Sequence, residues 1–190
     1  VRRAAEREGA LLVFDETATL FRVAAGGAQQ YFGVTPDLTY AGSVIANGYP
    51  IGLLAGRREV MSSCDGIGQF GAQSDAVSLA AARATIAEVR DNRVVRHLWA
   101  TGRRLKDGCT VLAREFGMAG NIEIAGLPPQ TKLRFTGGQG AALRRSFHEE
   151  CLIRGLLGSD TLHVSYQHAN ADIDQALRVY RSVIEMCGNI

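Results

Sequence analysis

Four consecutive apolar residues, Leu11 to Phe14, run directly into two acids, Asp15 and Glu16. The run does not alternate, so both faces of the segment are expected to be covered, as in a strand of a parallel α/β sheet. Ahead of it, VRRAAEREG is charged and helix-favouring, and Gly9 suits the left-handed end of a helix. A helix, a short connection and a buried strand make half of a βαβ unit. A carboxylate at the C-terminal end of such a strand lies on the edge where α/β sheets bind ligands. Asp15 is therefore a candidate for holding a ligand cation or a protonated ring nitrogen; the alternative is that Asp15 or Glu16 caps the helix that follows.

Further along, VTPDLTYAG predicts a second short strand after a Pro turn, and PIGLLAGRREVM a third that runs into a helix. SSCDGIGQFGAQS is Gly- and Ser-rich and reads as loop. From Asp75, a suitable N-cap, small and apolar residues recur at helical spacing through DAVSLAAARATIAEVRDNRVVRHLWATGRRL, enough for one extended helix or two in series. After Gly108 the pattern alternates helix, strand, helix, strand, helix, which predicts a small α+β domain. The expected division is 1–107, part of a large α/β domain with its connecting helix, and 108–190, the small domain. Three strands are few for an open sheet, and half a sheet leaves an edge and a face that need a partner.

An apolar fraction of 46% supports a buried core, and 21 basic against 19 acidic residues are scattered with no block of like charge. Nucleic-acid and membrane partners are not expected. Cys64, Cys109, Cys151 and Cys187 form no C-x-x-C pair, so reduced thiols and a cytoplasmic setting are the expectation. HEEC at 148–151 lacks the second His of a zinc helix, and GGQG at 137–140 reads as a flexible turn without a preceding strand. Arg144 and Arg145 face either an acidic ligand or solvent. His168 suits the entry to the last helix.

Three blocks, LLVFDETATLFR, GAQQYFGVTPDLTYAGSVIANGYPIGLLAGRREVM and DAVSLAAARATI, resemble consecutive blocks of class III pyridoxal-phosphate-dependent aminotransferases, in the glutamate-1-semialdehyde aminomutase-like branch. The tail from Arg144 to Tyr180 is similar to the family's small C-terminal domain, and the resemblance covers the C-terminal half of a family member. It implies the C-terminal part of the fold type I, aspartate aminotransferase-like α/β domain, pyridoxal 5'-phosphate as cofactor, an amino-acid-like substrate, and a homodimer or a complementing chain. By the same resemblance Asp15 is the acid that contacts the cofactor's pyridine nitrogen, while Glu16, Phe21 and Arg22 are structural, and Leu20 stands where the family has Gly.

The departures from the family pattern concern its chemistry. Its strand-turn block carries a Lys that forms an imine with the cofactor and moves a proton between substrate carbons; that position is Ser43, and no catalytic residue is expected in its place. A hydroxyl forms no imine and is too weak a base for that proton. The only lysines, Lys106 and Lys132, fall in the predicted small domain. In the loop where the family has a phosphate-binding Thr, this chain has Gln69 and Ala72, with Ser74 as the nearest hydroxyl. The expectation is a homologue inactive as this chain, or a degenerate non-catalytic partner subunit.

Overall fold

The computed structural model describes residues 1–63 and 75–188. Contacts divide the chain into two compact units, Val1–Val95 and Arg96–Ile190.

The first unit is built on a sheet of three short strands, β1 (Val13–Asp15), β2 (Leu38–Ala41) and β3 (Leu53–Gly56), in that order. β1 and β2 are parallel, with Asp15 opposite Tyr40; β3 returns antiparallel to β2. Helix α1 (Arg2–Arg7) precedes β1, and Gly9 follows its end at φ 62°, as the sequence predicts. β1 is not covered on both faces: Leu12, just before it, is buried, while Val13 is 47% exposed. A continuous apolar run marks two coverable faces, and among the described residues only one is covered.

One buried carboxylate ties the N-terminal elements together. Asp37, 3% exposed, accepts hydrogen bonds from the Leu12 amide at 2.8 Å, Arg2 Nη1 at 2.9 Å and Arg57 Nη1 at 3.1 Å. It thereby joins α1, the entry to β1, the start of β2 and the end of β3. The Leu12 amide, and then the Arg2 guanidinium, hold its carboxyl down at about 2, well below the usual carboxylate range.

Between β1 and β2 the chain makes tight turns and helix α2 (Gly27–Phe32), which ends on Gly33 in the left-handed region. After β2 comes a 3₁₀ turn at Ser43–Ala46, and after β3 the short α3 (Arg58–Ser62). Helix α4 (Ala76–Asp91) starts on Asp75, whose carboxylate accepts from the Ser78 amide at 2.8 Å and the Ser78 hydroxyl at 2.9 Å. It packs on the Ser43–Ala46 turn, with Ser78, Ala82 and Ala46 buried. The long helical pattern resolves into two helices in series, because Asn92 ends α4 and Arg93 takes φ 54° before α5 (Val94–Glu115).

The second unit has an antiparallel sheet in the order β4 (Ile122–Leu127), β5 (Gln130–Phe135), β6 (Thr161–His163). The stretch NIEIAGLPPQTKLRFTG, which reads as one strand, is a hairpin whose turn holds Pro128 and Pro129. Proline has no amide for a ladder, so the two together mark the turn. Helices α6 (Gly140–Ile153) and α7 (Asn170–Gly188) pack together over this sheet, and Phe147 stacks on Tyr180 with centroids 5.6 Å apart. α5 lies so close to the hairpin turn at Gly102 that a Cβ there would strike the Pro128 carbonyl. Ile122, Leu133, Val164, Val183 and Ile184 belong to a buried core that also holds Cys109, Cys151 and Cys187. Burial pushes the Cys109 and Cys151 thiols up to about 12 and raises Cys187 as well.

Candidate active site

Asp15 ends β1 with its carboxylate exposed and already oriented. Its Oδ1 accepts from the Thr17 hydroxyl at 2.6 Å and the Thr17 amide at 2.9 Å. The Tyr40 hydroxyl, brought alongside by the parallel β1–β2 register, donates as well. The Thr17 hydroxyl, then the Tyr40 hydroxyl and the Thr17 amide, hold the Asp15 carboxyl below its ordinary value; the same bond raises Tyr40. An ionised carboxylate offers about four acceptor positions. Three donors leave Asp15 room for one more.

Glu16, the next residue, faces the other way and is fully buried. It accepts from the Ala28 amide at 2.8 Å, the Gln29 amide at 3.1 Å and the Thr19 hydroxyl. Glu16 thus caps the start of α2 from twelve residues away. Gly27 sits at φ 69°, where a Cβ would fall on the Glu16 carboxylate, so only Gly fits. Of the two acids, Glu16 is the one that caps the helix, and Asp15 takes no part in that cap.

The turn after Glu16 closes without the glycine that the aminotransferase pattern has there. Leu20 is half-buried and pairs in a bridge with Ala24, while the positive φ of 61° falls on Phe21. Arg22 Nε donates to the Ala18 carbonyl at 3.1 Å and braces the same turn.

Ser43 opens the 3₁₀ turn directly after β2 and is exposed. Its carbonyl accepts from the Gly48 amide at 2.9 Å, and the turn closes through Asn47 at φ 51° and Gly48 at φ 102°. Parallel pairing puts the C-terminal ends of β1 and β2 on one sheet edge. Asp15 and Ser43 therefore leave the sheet at the same edge, and α4 buttresses the turn that presents Ser43.

The other motifs belong elsewhere. Lys106 Nζ donates to the Gly126 carbonyl, and Lys132 is exposed on β5 opposite Ala125. His168 Nδ1 accepts from the Ser165 amide at 3.1 Å and its carbonyl meets His97 Nε2 at 3.1 Å, which shapes the entry to α7. GGQG follows a strand after all: β5 ends on Phe135 and α6 begins at Gly140. Gln69, Ala72 and Ser74 lie outside the described residues.

A profile of the family described as Aminotransferase class-III matches residues 1–176. The chain belongs to the class III aminotransferases. A glutamate-1-semialdehyde 2,1-aminomutase of Caldivirga maquilingensis is 33% identical over 204 aligned residues, covering 97% of this chain and 46% of the relative. One of Alkaliphilus oremlandii is 43% identical over 113 residues, 57% of this chain and 27% of the relative. The pyridoxal-phosphate internal aldimine form of FumI from Sphingopyxis sp. MTA144 superposes at a TM-score of 0.86 with 25% identity, over 97% of this chain and 45% of that one. The fold is part of the fold type I architecture of these pyridoxal-phosphate enzymes, and the chain spans about half the length of the class III relatives it matches.

Proposed function

We propose that this chain is a class III aminotransferase or aminomutase homologue that keeps the acidic contact to a pyridoxal 5'-phosphate ring and lacks the amine on which amino-group transfer turns. By itself it completes no transamination or amino-mutation cycle. The observation that carries this reading is Ser43, exposed at the second position after β2 on the edge where Asp15 ends β1.

The residues fit one end of the cofactor and not the other. When bound, pyridoxal phosphate supplies an electron-withdrawing ring that stabilises negative charge at the carbon beside an amine. Asp15, kept ionised by Thr17 and Tyr40, has an acceptor position left for a protonated ring nitrogen. Ser43 offers a hydroxyl where a primary amine is needed, and a hydroxyl neither condenses with an aldehyde to an imine nor takes a carbon-bound proton near neutral pH.

The test is a titration of the full chain with pyridoxal 5'-phosphate, followed by borohydride reduction and mass analysis. Saturable binding is expected, weakened by Asp15→Asn, with no cofactor mass fixed at the site; Ser43→Lys is expected to gain one cofactor mass at residue 43. Stoichiometric fixation on the unsubstituted chain, or turnover with an amino donor and acceptor, overturns the reading.

A second reading, a non-catalytic subunit in a homodimer or beside a complementing chain, is favoured by the apolar side chains that the first sheet leaves open. Val13 is 47%, Leu53 38% and Leu54 51% exposed. Sedimentation over a range of concentrations checks it, with a monomer throughout as the contrary outcome. Among the described residues, no helix is long and apolar enough to cross a membrane.

A further inference from the structure

A cleft of about 580 Å³ opens in the second unit between the first turns of α6 and the segment that leads into β6. Arg144, Arg145, His148 and Glu149 line it from the helix, and Gly158 and Ser159 from the segment before β6. Helical spacing puts Arg144 and His148 on one ridge and Arg145 and Glu149 on the next. Behind the lining, Asp160 organises the first ridge: its two oxygens accept from Arg144 Nε at 2.9 and 2.8 Å, and its Oδ1 meets His148 Nε2 at 2.8 Å. The Arg144 guanidinium is thus anchored by its Nε, and among the described residues the N–H groups at its far end are available. Arg145 is exposed and has no ion-pair partner among the described residues. The Ser159 hydroxyl is spent on the Thr161 carbonyl at 2.7 Å, so the donors are the two guanidinium groups.

We propose that this cleft binds a small phosphate-type oxyanion, with Arg144 and Arg145 as the donors and Asp160 as the residue that positions Arg144. Guanidinium forks match the oxygen spacing of phosphate, and paired forks hold it more tightly than isolated charges do. The cleft volume lies within the range of small-ligand sites. Glu149 opposes the anion from the same rim, which sets a sign for its removal. The cleft lies within the second unit and the proposal does not depend on the reading given to Asp15 and Ser43.

The experiment titrates the full chain with inorganic phosphate at constant pH, with chloride holding the ionic strength fixed, and follows the ring-carbon proton resonances of the histidines by NMR. His148, identified by its loss in His148→Gln, is expected to shift saturably. Arg145→Ala, at an exposed position, is expected to weaken the effect about tenfold or more. Glu149→Gln is expected to tighten it several-fold. Arg103→Ala removes the same charge away from the cleft and is expected to leave it unchanged. A His148 signal that never saturates, or an Arg103→Ala loss equal to that of Arg145→Ala, overturns the site and leaves only general attraction to positive charge.

Discussion

The two units are equal in length, and each is stabilised internally in a different way. In Arg96–Ile190 the largest fully buried side chains are apolar ones such as Phe147, Ile122, Val164 and Val183, closed in by three helices and a hairpin. Among the described residues of Val1–Val95 the buried apolar side chains are mostly small, with Ala41, Ala46, Ala82 and Val23 beside Leu12, and the large fully buried side chain is the carboxylate Glu16. All four residues of β3 are exposed. The second unit closes a hydrophobic core from its own sequence. The first is pinned by two buried acids, Glu16 and Asp37, and leaves apolar surface that a folded domain of this type covers with a further layer.

The comparison breaks most readily at Phe147. Phe147→Ala empties the centre of the second unit and is expected to cost about 3–5 kcal/mol, read as a lowered midpoint in chemical denaturation. A loss below about 1 kcal/mol would show that the core is not the source of that unit's stability. In the first unit the matching lesion is polar. Glu16→Ala strands the Ala28 and Gln29 amides and the Thr19 hydroxyl, at roughly 2–3 kcal/mol. Amide exchange should then quicken in α2 and in the turn after Asp15 while α6 and α7 stay protected.

Acid sharpens the contrast. Asp37 has a folded pKa of about 2, lowered from an ordinary value near 3.8. Its contribution is fully present above the ordinary value and fades as pH falls through the folded one. Between about pH 4 and pH 2 the first unit is expected to loosen before the second, and Asp37→Asn should remove most of that pH dependence from α1 and β1, followed by residue-resolved exchange or NMR. The smallest effect belongs to Leu54→Ala on exposed β3, expected within about 0.5 kcal/mol for the chain alone. A larger loss would show that in solution something covers that strand.

What the sequence makes legible follows from how far apart the deciding residues lie. Local signals read correctly: the Asp75 cap, the left-handed Gly9, the strand from Leu38 and the entry to α7 at His168 each rest on neighbours within a few positions. Asp37 escapes such a reading because its partners Leu12, Arg57 and Arg2 lie 25, 20 and 35 residues away. The Tyr40 bond to Asp15 depends on the strand register, which no local pattern states. Glu16 gives a faint signal, an acid at a strand end followed by Gly26-Gly27 at a helix start, but the cap needs the intervening turn to be known. At Leu11–Phe14 the apolar run reports that both faces of β1 are fit for burial, and the chain in hand covers one of them. Ser43 attracts notice only through the resemblance of the blocks around it, since a serine after a short strand carries no local signal of its own.

The three buried thiols of the second unit turn its stability into a clock. A thiol-reactive dye attacks only the ionised sulfur, and Cys109 and Cys151, sealed in the core and pushed up to about 12, present almost none while that core is closed. Each modification event therefore requires an opening. When reclosing outpaces the dye, the labelling rate at these cysteines measures the free energy of exposing the second unit's interior without denaturant.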